Sequence, residues 1–200
     1  MKKRFYLVRH GEKVKQIGDP PLSEKGFLQA KLTGKYFKTI PIKKIISSPI
    51  LRTKQTAQQI AEVLALDFVI HDFLKERVNW GDDPTQSFAD FLAMWERASE
   101  ERDWLPPVGD SSSRAGKRLE ELVGLQNCKP EHVVFVTHGG IITDFLRNVF
   151  TDTELDAKFA GFDKAKDAGV LECSITTVDF DPKTKKYELV ELASVKHLTI

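Results

Sequence analysis

The apolar run Phe5-Tyr6-Leu7-Val8 stops at Arg9-His10-Gly11-Glu12. A second run, KKIIS at 43–47, leads into Ser48-Pro49, with Arg52 one turn further on; a third, HVVFVT at 132–137, stops at His138-Gly139-Gly140. Three buried strands would thus each finish in residues that bind or attack anions. Guanidinium groups fit the oxygens of a phosphoryl group, and free N–H groups at helix starts add to the trap. Two nearby cations oppose imidazolium formation, so Arg9 and Arg52 would hold an anion beside His10 while keeping its ring neutral near pH 7. The chemistry these residue types suggest is phosphoryl transfer, with His10 attacking phosphorus and His138 in the same pocket.

Separate loops can meet in this way only if their strands run parallel, because ligands gather at the carboxyl ends of an open α/β sheet. The chain alternates accordingly. Strands are expected near 4–9, 43–47, 66–70 and 132–137, the last rich in β-branched residues. Between them, Ser23 is a plausible N-cap for a helix with the stripe Phe27, Ala30, Gly34 and Phe37. Ser48-Pro49 reads as an N-cap with proline at the first helical position, opening a helix through Ile50, Thr53, Ala57, Ile60, Ala61 and Leu64. Further helices are expected near 85–101 and 113–126, and ECSITTVDF and KYELVELAS flank DPKTK as a hairpin. The expected fold class is α/β: a three-layer α-β-α sandwich with a mostly parallel, mixed central sheet and a small cap over the carboxyl ends of the strands. Residues 1–200 read as one domain, with 71–112 as the cap region; 151–167 reads either as an amphipathic helix or as a mobile flap.

Composition excludes several classes. With 41% hydrophobic residues and 12 glycines besides, the 200-residue chain has the apolar content of an ordinary globular protein. Thirty basic and 29 acidic residues leave a net charge of +1, so no overall field draws it to nucleic acid or an anionic membrane. The two cysteines, Cys128 and Cys173, form neither a disulfide framework nor a zinc spacing, which favours a reducing cytoplasm. KKR resembles the start of a signal segment, but only four apolar residues follow before Arg9, and no stretch approaches the ~20 apolar residues of a membrane span.

Further along, the same dispersed motifs recur as an ordered set: LVRHGE at 7–12, PLSEKGFLQA at 21–30, SSPILRTKQTA at 47–57, THGG at 137–140, CSITTVDF at 173–180 and a late HL at 197–198. That set resembles the histidine phosphatase superfamily in its phosphoglycerate-mutase-like branch. The resemblance implies a phosphohistidine on His10, with Arg9, Arg52 and His138 as the rest of the phosphate pocket. It also implies Glu76, in FLKERVNWG, as the proton donor that protonates the leaving oxygen and then activates water. An exposed glutamate is ionised at neutral pH, so that role requires the bound phosphate dianion to favour its protonated form. The scheme needs no metal and no cofactor, and EDTA should leave activity intact. Two departures stand out: the family's asparagine after RHGE is missing, with Lys13 or Gln16 as substitutes or a more open pocket in its place, and GDSSS at 109–113 replaces glycine-glutamate-serine, leaving the roles of Asp110 and Ser111 open.

Each residue also has a plainer reading. His10 and His138 taken singly are structural histidines, and only their matching places before glycine at strand ends reverse that. Arg52 is otherwise an exposed helix residue and Arg9 a strand terminus. Glu76 lies between Lys75 and Arg77 as in a surface turn, and Glu12, Asp82 and Asp83 are rival acids. Gly139 and Gly140 either pack a tight turn or let backbone N–H groups approach phosphate. Trp80, Trp95 and Trp104 read as packing residues. Lys13, Lys15, Arg77, Asn79 and Trp80 are candidate substrate contacts because they flank the pocket on the least family-like segments.

The leading function is hydrolysis of phosphomonoesters, with small molecules as substrates and phosphoproteins also permitted. A mutase-type phosphotransferase shares the site but must exclude water. A phospho-ligand binding module that has lost catalysis is a third reading. A histidine-based metal hydrolase is disfavoured, because no H-E-x-x-H spacing is present and the arginines would repel a cation.

Overall fold

The computed structural model describes residues 2–126, 132–165 and 169–199. Among these, six strands form one mixed sheet: β1 (Lys3–Arg9), β2 (Ile42–Ser47), β3 (Phe68–Ile70), β4 (His132–Thr137), β5 (Ile175–Asp181) and β6 (Lys186–Ser194), in the order β3-β2-β4-β1-β5-β6. β3, β2, β4 and β1 run parallel, while β5 pairs antiparallel with β1 and β6 antiparallel with β5.

Alternation along the strands explains why both faces are covered. Phe5 and Leu7 of β1 and Val133 and Phe135 of β4 pack into one apolar cluster; Tyr6, Val8, Val134 and Val136 pack into the other. A period-2 strand that is apolar at every position must bury both sides, which is the mark of a parallel sheet between helical layers. One layer holds α1 (Glu24–Phe37) and α2 (Leu51–Leu64), whose Phe37, Ala57, Ile60 and Ala61 join the second cluster. α3 (Phe88–Glu100) leads to the opposite layer, where α4 (Ser112–Leu125) and α5 (Gly139–Val149) supply Leu119, Leu122, Ile142 and Phe145 to the first cluster. The α/β expectation therefore holds.

The local signals hold in most places. Ser23 caps α1 by accepting the Gly26 N–H at 3.1 Å. Ser111 caps α4, and Asp110 pairs with Arg114 and Arg118, so both GDSSS residues serve the helix start. Residues 151–165 form two short helices, α6 (Asp152–Lys158) and α7 (Phe162–Ala165), anchored by buried Leu155 and Phe162. This is the helical reading of the segment rather than the flap, with 166 and 167 outside the described residues. Cys173 is buried and free, while Cys128 lies outside the described residues.

One cap is corrected. α2 begins at Leu51 with Ile50 at the N-cap and no side-chain cap bond, not at Ser48-Pro49. The Leu51 N–H is taken instead by the Asp19 carboxylate, at 2.9 and 3.0 Å, from the loop after β1. An acid placed there satisfies a free helix N–H and favours the positive end of the dipole.

Candidate active site

Register brings three strand ends side by side. Arg9 of β1 pairs with Thr137 of β4, and Ser47 of β2 pairs with Val136, so the next residues, His10, Ser48 and His138, emerge from adjacent strands at one edge. The rings of His10 and His138 lie 5.3 Å apart at 66°. The turn after β1 passes so close to α1 that a Cβ on Gly11 would stand 2.6 Å from the Gly26 carbonyl oxygen. Glycine is required for that approach, and it holds His10 down against the sheet.

Hydrogen bonds then fix both tautomers. His10 Nδ1 lies 2.8 Å from the Gly11 carbonyl, which can only accept, so Nδ1 carries the proton. Nε2 therefore offers a lone pair, and Arg52 Nε–H donates to it at 3.1 Å. Arg52 also donates to Asn79 Oδ1 at 2.7 Å and to His138 Nδ1 at 3.1 Å. His138 Nε2–H donates to Ser48 Oγ at 2.9 Å, and the same oxygen accepts the Ile50 N–H at 3.4 Å.

Burial, then the guanidinium groups of Arg52 and Arg9, push the His10 imidazole well below its ordinary range. Burial followed by Arg52 and His10 does the same to His138. Both rings are thus neutral bases at pH 7. The sign is testable: the ring C–H resonances of His10 and His138 should stay fixed between about pH 7.5 and 6, where an ordinary imidazole changes charge. A titration midpoint near 6.5 in either ring would refute this account.

The other predicted residues divide. Glu76 is placed with unusual care: Thr137 Oγ1–H donates to the Leu74 carbonyl at 2.6 Å, and Arg118 donates to the carbonyls of Phe73 at 3.0 Å and Lys75 at 3.2 Å. Its carboxylate accepts the Gly140 N–H at 3.0 Å and the Arg77 N–H at 3.0 Å, at the mouth of α5. A Cβ on Gly140 would stand 2.7 Å from both the Glu76 carboxylate and the Trp95 ring, so a side chain here would push the acid or the ring from its place. The Gly140 N–H is accordingly spent on Glu76 and is not the free phosphate donor the sequence suggested.

Of the rival acids, Glu12 reaches the same cavity but is bound to Ser23 and Lys25, while Asp82 and Asp83 close turns at Asn79 and Thr85. Arg9 also lines the cavity, held by the Val170 carbonyl at 2.7 Å and Glu172 at 2.8 Å, with Gly139 beside it. Lys13 is half-buried there, its ammonium lowered by burial and by Arg52 and Arg9. Gln16 lines the exposed side. Trp80 and Asn79 reach the cavity as expected.

Arg77 does not. Its side chain is 2% exposed, paired with Asp144 at 2.9 Å and stacked 3.8 Å over the ring of Trp95. The expected substrate contact is corrected: a buried carboxylate on α5 draws the guanidinium inward, where an arginine needs its counter-charge. Sequence reasoning also missed the opposite wall, where Phe88, Phe91, Leu92 and Trp95 of α3 line the cavity. Their spacing of three and four marks a helical stripe, but of the four only Trp95 is singled out from sequence, as a packing residue. Among the described residues, no group of three or more His, Cys, Asp or Glu side chains is arranged to hold a metal ion, and no helix is long and apolar enough to cross a membrane.

Comparison with known proteins agrees with this geometry. A family model described as histidine phosphatase superfamily (branch 1) matches residues 5–192. "Uncharacterized phosphatase PhoE" of Bacillus subtilis (strain 168) is 33% identical over 152 residues, covering 72% of this chain and 75% of its own. "Probable phosphoglycerate mutase GpmB" of Photorhabdus laumondii is 30% identical over 162 residues, covering 68% and 69%. Among solved structures, phosphoserine phosphatase from Entamoeba histolytica in complex with 3-phosphoglyceric acid superposes with a TM-score of 0.72 at 22% identity, over 98% of this chain and 100% of that one. At that identity the likeness speaks for the fold.

Proposed function

This chain belongs to branch 1 of the histidine phosphatase superfamily, and from that premise we propose that it is a metal-independent phosphomonoesterase working through a phosphohistidine on His10. The observation that carries the reading is the His10 lone pair: Nδ1–H is committed to the Gly11 carbonyl, so Nε2 is the nucleophilic atom, and the cation on it is Arg52. When a phosphate ester arrives, the guanidinium exchanges a weak nitrogen acceptor for anionic oxygens, and the lone pair is released towards phosphorus.

Nε2 then forms the N–P bond as the bond from phosphorus to the leaving oxygen breaks, and Glu76 gives that oxygen its proton. A phosphate dianion beside a carboxylate favours its protonated form, which readies Glu76 for this step. In the second step Glu76 takes a proton from water, the oxygen of that water bonds to phosphorus, and the N–P bond breaks to release inorganic phosphate. Arg52 and Arg9, with Lys13 beside them, stabilise the equatorial oxygens in both steps.

The likeness to proteins named as phosphoglycerate mutases supports a transferase that keeps the phosphoryl group. Retaining it requires exclusion of water, and a cavity of about 970 Å³ bordered by half-exposed Phe88 and Leu92 works against that. Hydrolysis is the better reading. In this scheme the chain acts as one domain, residues 71–112 serve as its cap, and small cytoplasmic phosphomonoesters are the substrates.

The test is phosphate release from alkyl and aryl monoesters in the presence of EDTA, for the native chain and for Glu76→Gln. The native chain should turn over both classes. The variant should lose about 10²- to 10⁴-fold on alkyl esters, whose poor leaving groups need the proton, and much less on p-nitrophenyl phosphate. No release by the native chain would end the phosphatase reading; equal slowing of all esters would end the assignment of Glu76.

A further inference from the structure

The cavity is far larger than its phosphate corner needs. His10, Arg52 and Glu76 occupy one end of about 970 Å³, which falls in the range of sites that enclose a drug-sized ligand. The remainder has a consistent chemistry. Rings follow one another without a break: Trp80 to Phe88 at 4.7 Å between centroids, Phe88 to Phe91 at 6.4 Å and Phe91 to Trp95 at 5.8 Å. Val78 and Leu92 complete this wall.

α3 explains why the wall exists. A helix over a cavity buries its apolar stripe only if something fills the space, yet Phe88 remains 50% and Leu92 49% exposed. Scattered apolar residues on a surface need no explanation, whereas a contiguous row continuous with a phosphate pocket does. Beyond the phosphate corner, the charged groups lining the same space are Glu12 and Glu172, already engaged by Lys25 and Arg9 respectively, and Lys13 and Lys15, of which Lys13 lies near the corner's arginines. The wall itself carries no charged side chain, so a second anionic group lying along it would lose its hydration for no partner, while an apolar group would not.

The geometry points to phosphate monoesters of bulky apolar alcohols or phenols as the substrate class, with the leaving group lying along α3, and not to compact polyanions such as phosphoglycerates. This rests on the phosphomonoesterase reading for its phosphate corner, so the experiment separates the two. Calorimetry with the n-alkylphosphonates from ethyl to octyl measures the wall without any turnover, because the C–P bond does not hydrolyse.

Affinity should tighten about two- to fourfold with each added methylene until the wall is covered, the gain expected for burying one methylene. That slope should shrink in Phe88→Ser and Leu92→Ser, whose exposed side chains can be exchanged without disturbing the core. A dissociation constant that does not change with chain length, failure of every phosphonate to bind, or tighter binding of 3-phosphoglycerate than of hexylphosphonate would overturn the proposal. Hexyl phosphate run in parallel tests the other reading: a chain-length slope with no phosphate release would keep the ligand class and remove the phosphatase.

Discussion

In His10→Ala, turnover of p-nitrophenyl phosphate falls by about 10⁴-fold or more while the chain stays folded, as expected when the attacking group itself is removed. No neighbour can replace it. His138 has its Nε2–H tied to Ser48 and presents Nδ1 to Arg52, and it is 1% exposed. Glu76 is turned towards two backbone N–H groups, where it can handle protons but has no freedom to attack. The substitution deletes a buried polar ring and its bond to the Gly11 carbonyl, a cost of about 1–3 kcal/mol against a core left intact. Phosphate release and a thermal melt on the same preparation decide the matter. Retention of more than a few per cent of the rate, in a folded variant, would discard nucleophilic attack by His10.

What the sequence made legible were the strand ends, because there the signal is local. An apolar run followed by Arg9-His10 or His138-Gly139 states both the element and the residue it delivers, and parallel pairing does the rest. Side chains whose partners are chosen across the fold were not legible. Ser48 looked like the helix cap, but the Leu51 N–H is taken by Asp19 from 32 residues away, and the Ser48 hydroxyl accepts from His138, 90 residues on. Arg77 looked like a surface residue beside Glu76 because its counter-charge, Asp144, lies 67 residues on. The aromatic stripe of α3 was readable as a helix face, but nothing in the sequence distinguishes a face packed on a core from one lining a cavity. Those are contacts of tertiary origin, and a residue's own type carries little about them.

The Arg77–Asp144 pair should dominate stability as His10 dominates rate. Both side chains are 2% exposed, and Arg77→Ala leaves the carboxylate buried without its cation, which should cost about 3–5 kcal/mol in urea denaturation at pH 8. Replacing both charges, in Arg77→Met with Asp144→Leu, removes the desolvation along with the attraction and should restore most of that loss. The pH dependence distinguishes this from a simple cavity. Burial raises the Asp144 carboxyl to about 7, against the pull of Arg77 and Ser112. Because that is above its unfolded value of about 3.9, the native state binds more protons than the unfolded chain between those limits, and this group's contribution to stability grows as pH falls through 7. Loss of Arg77 raises the carboxyl further, so the deficit of Arg77→Ala should narrow between pH 8 and about 5.5, as protonation relieves the uncompensated charge. A deficit that is the same at both pH values, and as large in the double variant as in the single, would place the cost in lost packing over Trp95 and not in the buried charge.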